Sequence, residues 1–263
     1  MRRKISNSLR VMVMSSTLIL ALVASFGGTA SAITNGQPDE DNHPYVCIIV
    51  VFDEEWQFVT SGSGVLVSPT VVLTAGHLTI EGPYAFVSFA PDGIAYGSLE
   101  GYTFGTTHTH PEYQLGYEPG LPGYLTHDVG VVQLIEPVIV GEYGLLPEEG
   151  KIDTLETKTD LDLVGYGYND IERPSGDLVF YGARYYAPTE LISSKHKQSD
   201  EFIKITANPG QDKGGAYWGD SGGPVLLRGT NLVLGLVSYG SGVGYATRVD
   251  TSDVLAWVTD WLP

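Results

Sequence analysis

A single cysteine, Cys47, in 263 residues leaves no partner for an intramolecular disulfide. Whatever fold forms must be held by its own core. Cys47 sits in the apolar run Val46-Cys47-Ile48-Ile49-Val50-Val51, where it reads as a small buried hydrophobe and not as a reactive thiol. Basic residues are scarce too: 14 Lys and Arg stand against 31 Asp and Glu, a formal net charge of −17. That balance excludes nucleic-acid binding through phosphate neutralisation. Helical periodicity is missing until the C-terminus, and there is no internal repeat or low-complexity segment. The extended apolar stretch Val11 to Phe26 is short for a bilayer and is broken by Ser15, Ser16 and Thr17.

The flanks of that stretch give it a meaning. Arg2, Arg3, Lys4 and Arg10 form a basic head, and Ala30-Ser31-Ala32 presents small residues at the usual cleavage spacing. Residues 1–32 therefore read as a secretory signal peptide and not as a membrane anchor. Twin-arginine export fits poorly, because the apolar run starts well beyond Arg3. Removing the leader takes away four basic residues and no acidic ones, which leaves −21 on residues 33–263. The expectation is a secreted, extracellular monomer with no nucleic-acid partner and no membrane partner after cleavage. The acid is dispersed, as in Pro38-Asp39-Glu40-Asp41-Asn42 and Pro147-Glu148-Glu149-Gly150. Both stretches read as solvated surface, and neither has the spacing of a calcium loop.

From Tyr45 onward, short Val/Ile/Leu/Tyr/Thr-rich runs alternate with Gly, Pro, Asn and Asp. Examples are Val46 to Phe52, Val71 to Thr74, Val129 to Leu134, Leu178 to Tyr186 and Leu232 to Val237. With 33 glycines and 15 prolines, this spacing predicts an antiparallel all-β sandwich or barrel. At the end, Thr251 or Ser252 can cap a helix whose Val254, Leu255, Val258, Trp261 and Leu262 share one face. Glu136 to Leu155, rich in Gly, Pro and Glu, reads as a linker between two halves.

One stretch suits neither strand nor helix: Gly219-Asp220-Ser221-Gly222-Gly223-Pro224. Glycine on both sides of a serine lets the backbone approach a ligand closely, so the N–H groups of Gly219 and Ser221 can converge on one oxygen anion. A serine hydroxyl is a weak nucleophile without a base to take its proton. Of six histidines, His77 is placed best, because Val71-Val72-Leu73-Thr74-Ala75-Gly76-His77 is a buried-type strand ending at the imidazole. Asp128, at the mouth of the apolar strand Val129 to Leu134, is the best carboxylate to orient that ring.

LTAGH, HDVGVVQL and GDSGGP, in the order His77, Asp128, Ser221, together resemble the three signatures of the trypsin/chymotrypsin-like serine peptidases. The spacings of 51 and 93 residues are of the size that family shows. Ile33-Thr34-Asn35-Gly36 resembles its mature N-terminus, Ser63-Gly64-Val65-Leu66-Val67 the strand before the histidine, Val164-Gly165-Tyr166-Gly167 its GWG stretch, and Val237-Ser238-Tyr239-Gly240 its substrate-binding strand. The resemblance covers nearly all of 33–263 and is weakest over 78–127 and 187–200.

The resemblance implies two six-stranded antiparallel Greek-key barrels, about 33–140 and 150–250, with a C-terminal helix at about 251–262. It implies a serine endopeptidase acting on peptide or protein substrates without a cofactor. Ser221 attacks, His77 carries the proton and Asp128 orients His77. The Gly219 and Ser221 N–H groups bind the oxyanion, Ser238 supports Asp128, and Asp220 accepts the α-ammonium of Ile33. Because Ala32 abuts Ile33, signal cleavage itself is expected to expose that amine. Gly215 stands at the base of the primary pocket, Trp218 at its rim, and Ser238, Tyr239, Gly240 and Gly244 along its wall. Without an acid at 215, trypsin-type cleavage after Lys or Arg is not expected, and the pocket suits large apolar or aromatic side chains. Asp212 swinging inward is the alternative, and it favours basic ones.

The remaining histidines carry less. His108 and His110 lie two apart on one strand, but no third ligand can be named, so no metal is expected. His43, His127 and His196 read as solvated. The GxSxG elbow of α/β-hydrolases also matches Gly219 to Gly223, but there the histidine follows the serine, and here the last one is His196. A non-catalytic binding protein on the same fold is the competing reading.

Overall fold

A computed structural model describes residues 33, 35–92, 99–118, 121–167, 183–195, 199–239 and 244–263. The expected leader, His196, Gly240 and most of the expected strand Leu178 to Tyr186 lie outside these residues. In chain order the strands are β1 (Gln37–Pro38), β2 (Val46–Phe52), β3 (Phe58–Ser68), β4 (Val71–Thr74), β5 (Tyr84–Ser88), β6 (Thr103–Thr109), β7 (Gln114–Glu118), β8 (Leu121–Thr126) and β9 (Gly130–Leu134). They continue as β10 (Asp160–Gly165), β11 (Tyr185–Ser193), β12 (Phe202–Ile205), β13 (Pro224–Leu227), β14 (Val233–Tyr239) and β15 (Gly244–Arg248). Two α-helices are described, a single turn α1 (Gly76–Thr79) and α2 (Ser252–Thr259), beside short 3-10 turns at Lys151–Thr154 and Pro209–Gln211.

The strands form two closed antiparallel barrels of six, with β7 and β8 paired as a separate hairpin. The first runs β2-β3-β4-β9-β6-β5 and the second β11-β10-β13-β14-β15-β12, closed by β11 on β12, with β1 added outside β11. Numbered from its own first strand, each barrel has one cyclic order, first-second-third-sixth-fifth-fourth. This is the expected all-β fold of two Greek-key barrels and a terminal helix. The first barrel fills with Val46, Ile49, Val65, Leu73, Val87 and Val131, and the second with Leu161, Leu163, Ile203, Ile205, Val225 and Ala246. Val164, Tyr166, Leu226 and Leu236 of the second half join the first cluster, so the barrels share apolar surface.

Cys47 is fully buried there, and burial pushes its thiol far above the usual range. Helix α2 follows the second barrel in sequence but packs Val254 and Val258 on the first-barrel cluster. Thr251 occupies its N-cap position, without a side-chain cap bond. The connection between the barrels is strapped down: Leu145 bridges to Leu232, and Ile152 is fully buried.

One acidic stretch departs from its solvated reading. Asp39 is completely buried and faces Arg184, only 1% exposed. Arg184 Nε donates to Asp39 Oδ2 at 2.6 Å, Nη1 to the carbonyls of Val46 and Phe89 at 3.1 Å, and Nη2 to that of Glu40 at 3.0 Å. His43, expected to be solvated, closes the cluster by pairing its ring with Asp39. Burial pushes the Asp39 carboxyl up, but the hydrogen bonds and charges of His43 and Arg184 outweigh it and hold the group below its ordinary range. Asp41, Glu148 and Glu149 are exposed as expected.

This cluster ties the segment after Ile33 to both barrels, and its geometry needs a guanidinium fork. Arg184→Lys keeps the charge but loses the spread of donors, so urea denaturation should show a loss of about 2 kcal/mol. Unchanged stability would mean the fork is dispensable.

Candidate active site

His77, expected at the end of its strand, lies three residues beyond it. β4 stops at Thr74, and the chain turns through Ala75 into α1, which carries the imidazole. Asp128 precedes β9 and is fully buried. Its Oδ1 accepts the His77 backbone N–H at 2.7 Å, its Oδ2 lies 2.9 Å from His77 Nδ1, and Ser238 Oγ donates to Oδ2 at 2.5 Å. A buried carboxylate needs such donors to offset its desolvation. The same contacts fix the ring with Nδ1 toward the acid, which leaves Nε2 to act as a base.

Ser221 comes from the second barrel, on the loop before β13. Gly222 at φ +79° lets this loop press against the first barrel: a Cβ there would lie 2.2 Å from Thr74 Oγ1 and 2.8 Å from Ala75 N. The Ser221 loop thus docks on the residues that lead into α1. Among the described residues no hydrogen bond joins Ser221 Oγ to His77, and no acceptor takes the N–H of Gly219 or Ser221. Those two donors are open to a ligand oxygen.

Ser63 is a participant that sequence reasoning passed over. Its N–H donates to the Ser221 carbonyl at 2.7 Å and its Oγ to the Gly219 carbonyl at 3.0 Å. The same Oγ accepts the Tyr166 N–H at 2.9 Å, and Thr74 Oγ1 donates to the Ser63 carbonyl at 2.7 Å. One serine of β3 therefore holds the loop on either side of Asp220 and links it to the strand leading to His77. The sequence hints are its place in Ser61-Gly62-Ser63-Gly64 and at the head of the strand that resembles the family's strand before the histidine.

Asp220 is fully buried and accepts N–H groups from Gly167 and Tyr217, both at 2.8 Å. A Cβ at Gly167 would fall 2.7 Å from its Oδ1, which is why that position carries glycine. No Lys, Arg or His pairs with it among the described residues, and burial pushes its pKa up to about 7 despite the two backbone bonds. Ile33 is fully buried in the second-barrel cluster, and no hydrogen bond or ion pair joins it to Asp220.

Around the expected pocket, Gly215 is buried and Asp212 is exposed at φ +56°. Trp218 is 78% exposed, so it covers little of its own loop. Tyr239 stacks on Tyr245 at 5.0 Å and meets the edge of Phe202 at 5.9 Å. Gly244 opens β15, against Ile205.

The other histidines differ from expectation. His108 stacks on Trp261 at 4.0 Å, while His110 stacks on His127 at 4.9 Å, so these two do not form a pair. His127 is not solvated: its side chain is 17% exposed and its Nε2 lies 2.7 Å from Asp253 Oδ2.

A search of the curated proteins finds no match. Solved structures share the fold. One described as HL collagenase matches with a TM-score of 0.63 at 17% identity, over 89% of this chain and 96% of that one. The VesB protease of Vibrio cholerae matches at 0.61 and 19%, over 86% of this chain and 67% of its own, and a structure called GrC at 0.60 and 17%, over 87% and 97%. A protein-family model described as Trypsin matches residues 33–261. A match of that length, on a fold these structures share, makes the chain a member of the trypsin family.

Proposed function

We propose that the protein is a secreted serine endopeptidase that hydrolyses peptide bonds of peptides or proteins through an acyl-enzyme. The observation that carries this is Asp128, buried and gripping both the ring and the backbone of His77, beside a serine loop with two open N–H groups. In this reading His77 Nε2 removes the Ser221 proton as Oγ bonds to the substrate carbonyl carbon. The oxyanion that forms is held by Gly219 and Ser221 N–H, an effect of about 3 kcal/mol per donor. The imidazolium, stabilised by Asp128, gives its proton to the leaving amine as the C–N bond breaks. Water repeats the sequence on the ester and restores Ser221. The uncharged pocket base at Gly215 supports cleavage after large apolar or aromatic residues.

The test is a diverse peptide pool incubated with the secreted protein and with its Ser221→Ala variant, with every cut mapped. Cuts that vanish in the variant and follow apolar or aromatic residues are expected. No cleavage by the parent, or cleavage the variant retains, would overturn the enzyme reading and leave a binding protein. Cuts after Lys or Arg would overturn the pocket assignment alone.

A further inference from the structure

A second cluster of chemistry-bearing side chains lies on the far side of the Asp128 turn. One ring nitrogen each of His110 and His127 and one carboxylate oxygen of Glu112 lie within 4.8 Å of one another. Two more carboxylates converge on the same imidazole. Asp253 Oδ2, from the first turn of α2, is 2.7 Å from His127 Nε2, and Glu201 Oε2, next to β12, is 3.8 Å from His127 Nδ1. That Nδ1 is buried and has no hydrogen-bond partner. Among the described residues no lysine or arginine pairs with Glu112, Glu201 or Asp253, so three carboxylates face two imidazoles without a fixed cation.

We infer that His110, Glu112 and His127, with Asp253 beside them, form a binding site for a divalent transition-metal ion of zinc's class. Imidazole nitrogen with carboxylate oxygen is a donor set for such ions, whereas calcium and magnesium take oxygen alone. Bonds of about 2.1 Å in a tetrahedral site put ligand atoms about 3.4 Å apart. Glu112 Oε2 already stands 3.5 Å from His127 Nε2, and with all three ligand atoms within 4.8 Å the site closes by at most about 1.4 Å, a movement that the 66% exposed side chain of Glu112 can follow. The ligands and the carboxylate beside them arrive from separate elements: His110 and Glu112 after β6, His127 before β9 and Asp253 on α2. An ion here clips the terminal helix to the first barrel, the kind of cross-link that a chain with one cysteine cannot make covalently. It also braces the residue immediately before Asp128, where the backbone stands at φ +50°.

Metal-freed protein carrying Ser221→Ala, which prevents self-digestion, is titrated with Zn²⁺ alone by calorimetry, and its Tm is read with and without the ion. Expected are one saturable Zn²⁺ per chain and a rise in Tm, since an ion bound only by the folded state stabilises it. Glu112→Gln removes an exposed carboxylate and leaves the fold undisturbed; it should weaken binding at least ~10-fold, and His110→Gln more. Absence of saturable binding overturns the inference. So does binding, or a Tm rise, that Glu112→Gln retains in full, because the ion then sits on another ligand set.

Discussion

Asp128→Asn is expected to cut peptide about 10⁴-fold more slowly in kcat while folding normally. An asparagine fills the same volume and can still accept the His77 N–H, so packing and secondary structure stay. What changes is the direction of a proton. The carboxylate accepts from Ser238 Oγ and faces His77 Nδ1 at 2.9 Å, so Nδ1 carries the hydrogen and Nε2 has the lone pair. An amide NH₂ turned toward Nδ1 donates instead, which moves the ring hydrogen to Nε2 and removes the base. It also strips the negative charge that stabilises the imidazolium. A Ser221→Ala, Asp128→Asn double variant should be no slower than Ser221→Ala alone, because the three groups act as a unit. The measurement is kcat on one peptide with circular dichroism as the fold check. A loss under tenfold would remove Asp128 from the mechanism.

A chain beginning at Ile33 is expected to cleave about 10² to 10³-fold faster than the same chain with one residue added before it. The reason lies in Asp220. With the chain continuous through Ile33, this carboxyl has two backbone N–H groups and no cation, and its pKa stands at about 7. The folded state then holds a proton that the unfolded chain, with an ordinary carboxyl near 3.8, has already released. In that window the unfolded state binds fewer protons, so stability falls as pH rises from about 4 to about 7, by roughly 4 kcal/mol at most. A free α-ammonium reverses this, since a buried pair costs about 3 to 5 kcal/mol to break. Urea denaturation of the uncut Ser221→Ala chain at pH 4.5 and 8, beside a version also carrying Asp220→Asn, isolates the effect from all other carboxylates. Only the chain with Asp220 should show the decline. Equal cleavage by the blocked and free N-termini would sink the activation role.

What was legible in the sequence follows from where chemistry leaves little choice. A serine loop needs glycine wherever backbone meets backbone, so Gly219 to Pro224 stood out. His77 and Asp128 gained meaning only as members of an ordered set, since either alone is an ordinary strand-end residue. Alternation of apolar and turn residues pointed to an antiparallel sandwich or barrel without deciding between them, because strand order is carried by pairings between distant residues. The errors share one cause. Asp39 sits in an acidic run and was read as wet, yet its partner Arg184 lies 145 positions away. His127 looked like a loop residue because Asp253 is 126 positions on. Ser63 was visible only as the start of a strand, as its role depends on the carbonyls of Gly219 and Ser221.

The shared cyclic order of the two barrels has a consequence for how this molecule can be broken. In the proposed mechanism one barrel holds the base and its carboxylate and the other the nucleophile, so neither piece has half the chemistry; each has none. The stretch from Ile135 to Thr159 is therefore a tether that keeps two complementary subunits at a local concentration on the order of millimolar. A nick there by a foreign protease would turn an intramolecular docking into a dilution-sensitive dimerisation. The bridge from Leu145 to Leu232 and the anchored Ile152 divide the tether into shorter spans, which makes it a poor target for such a cut.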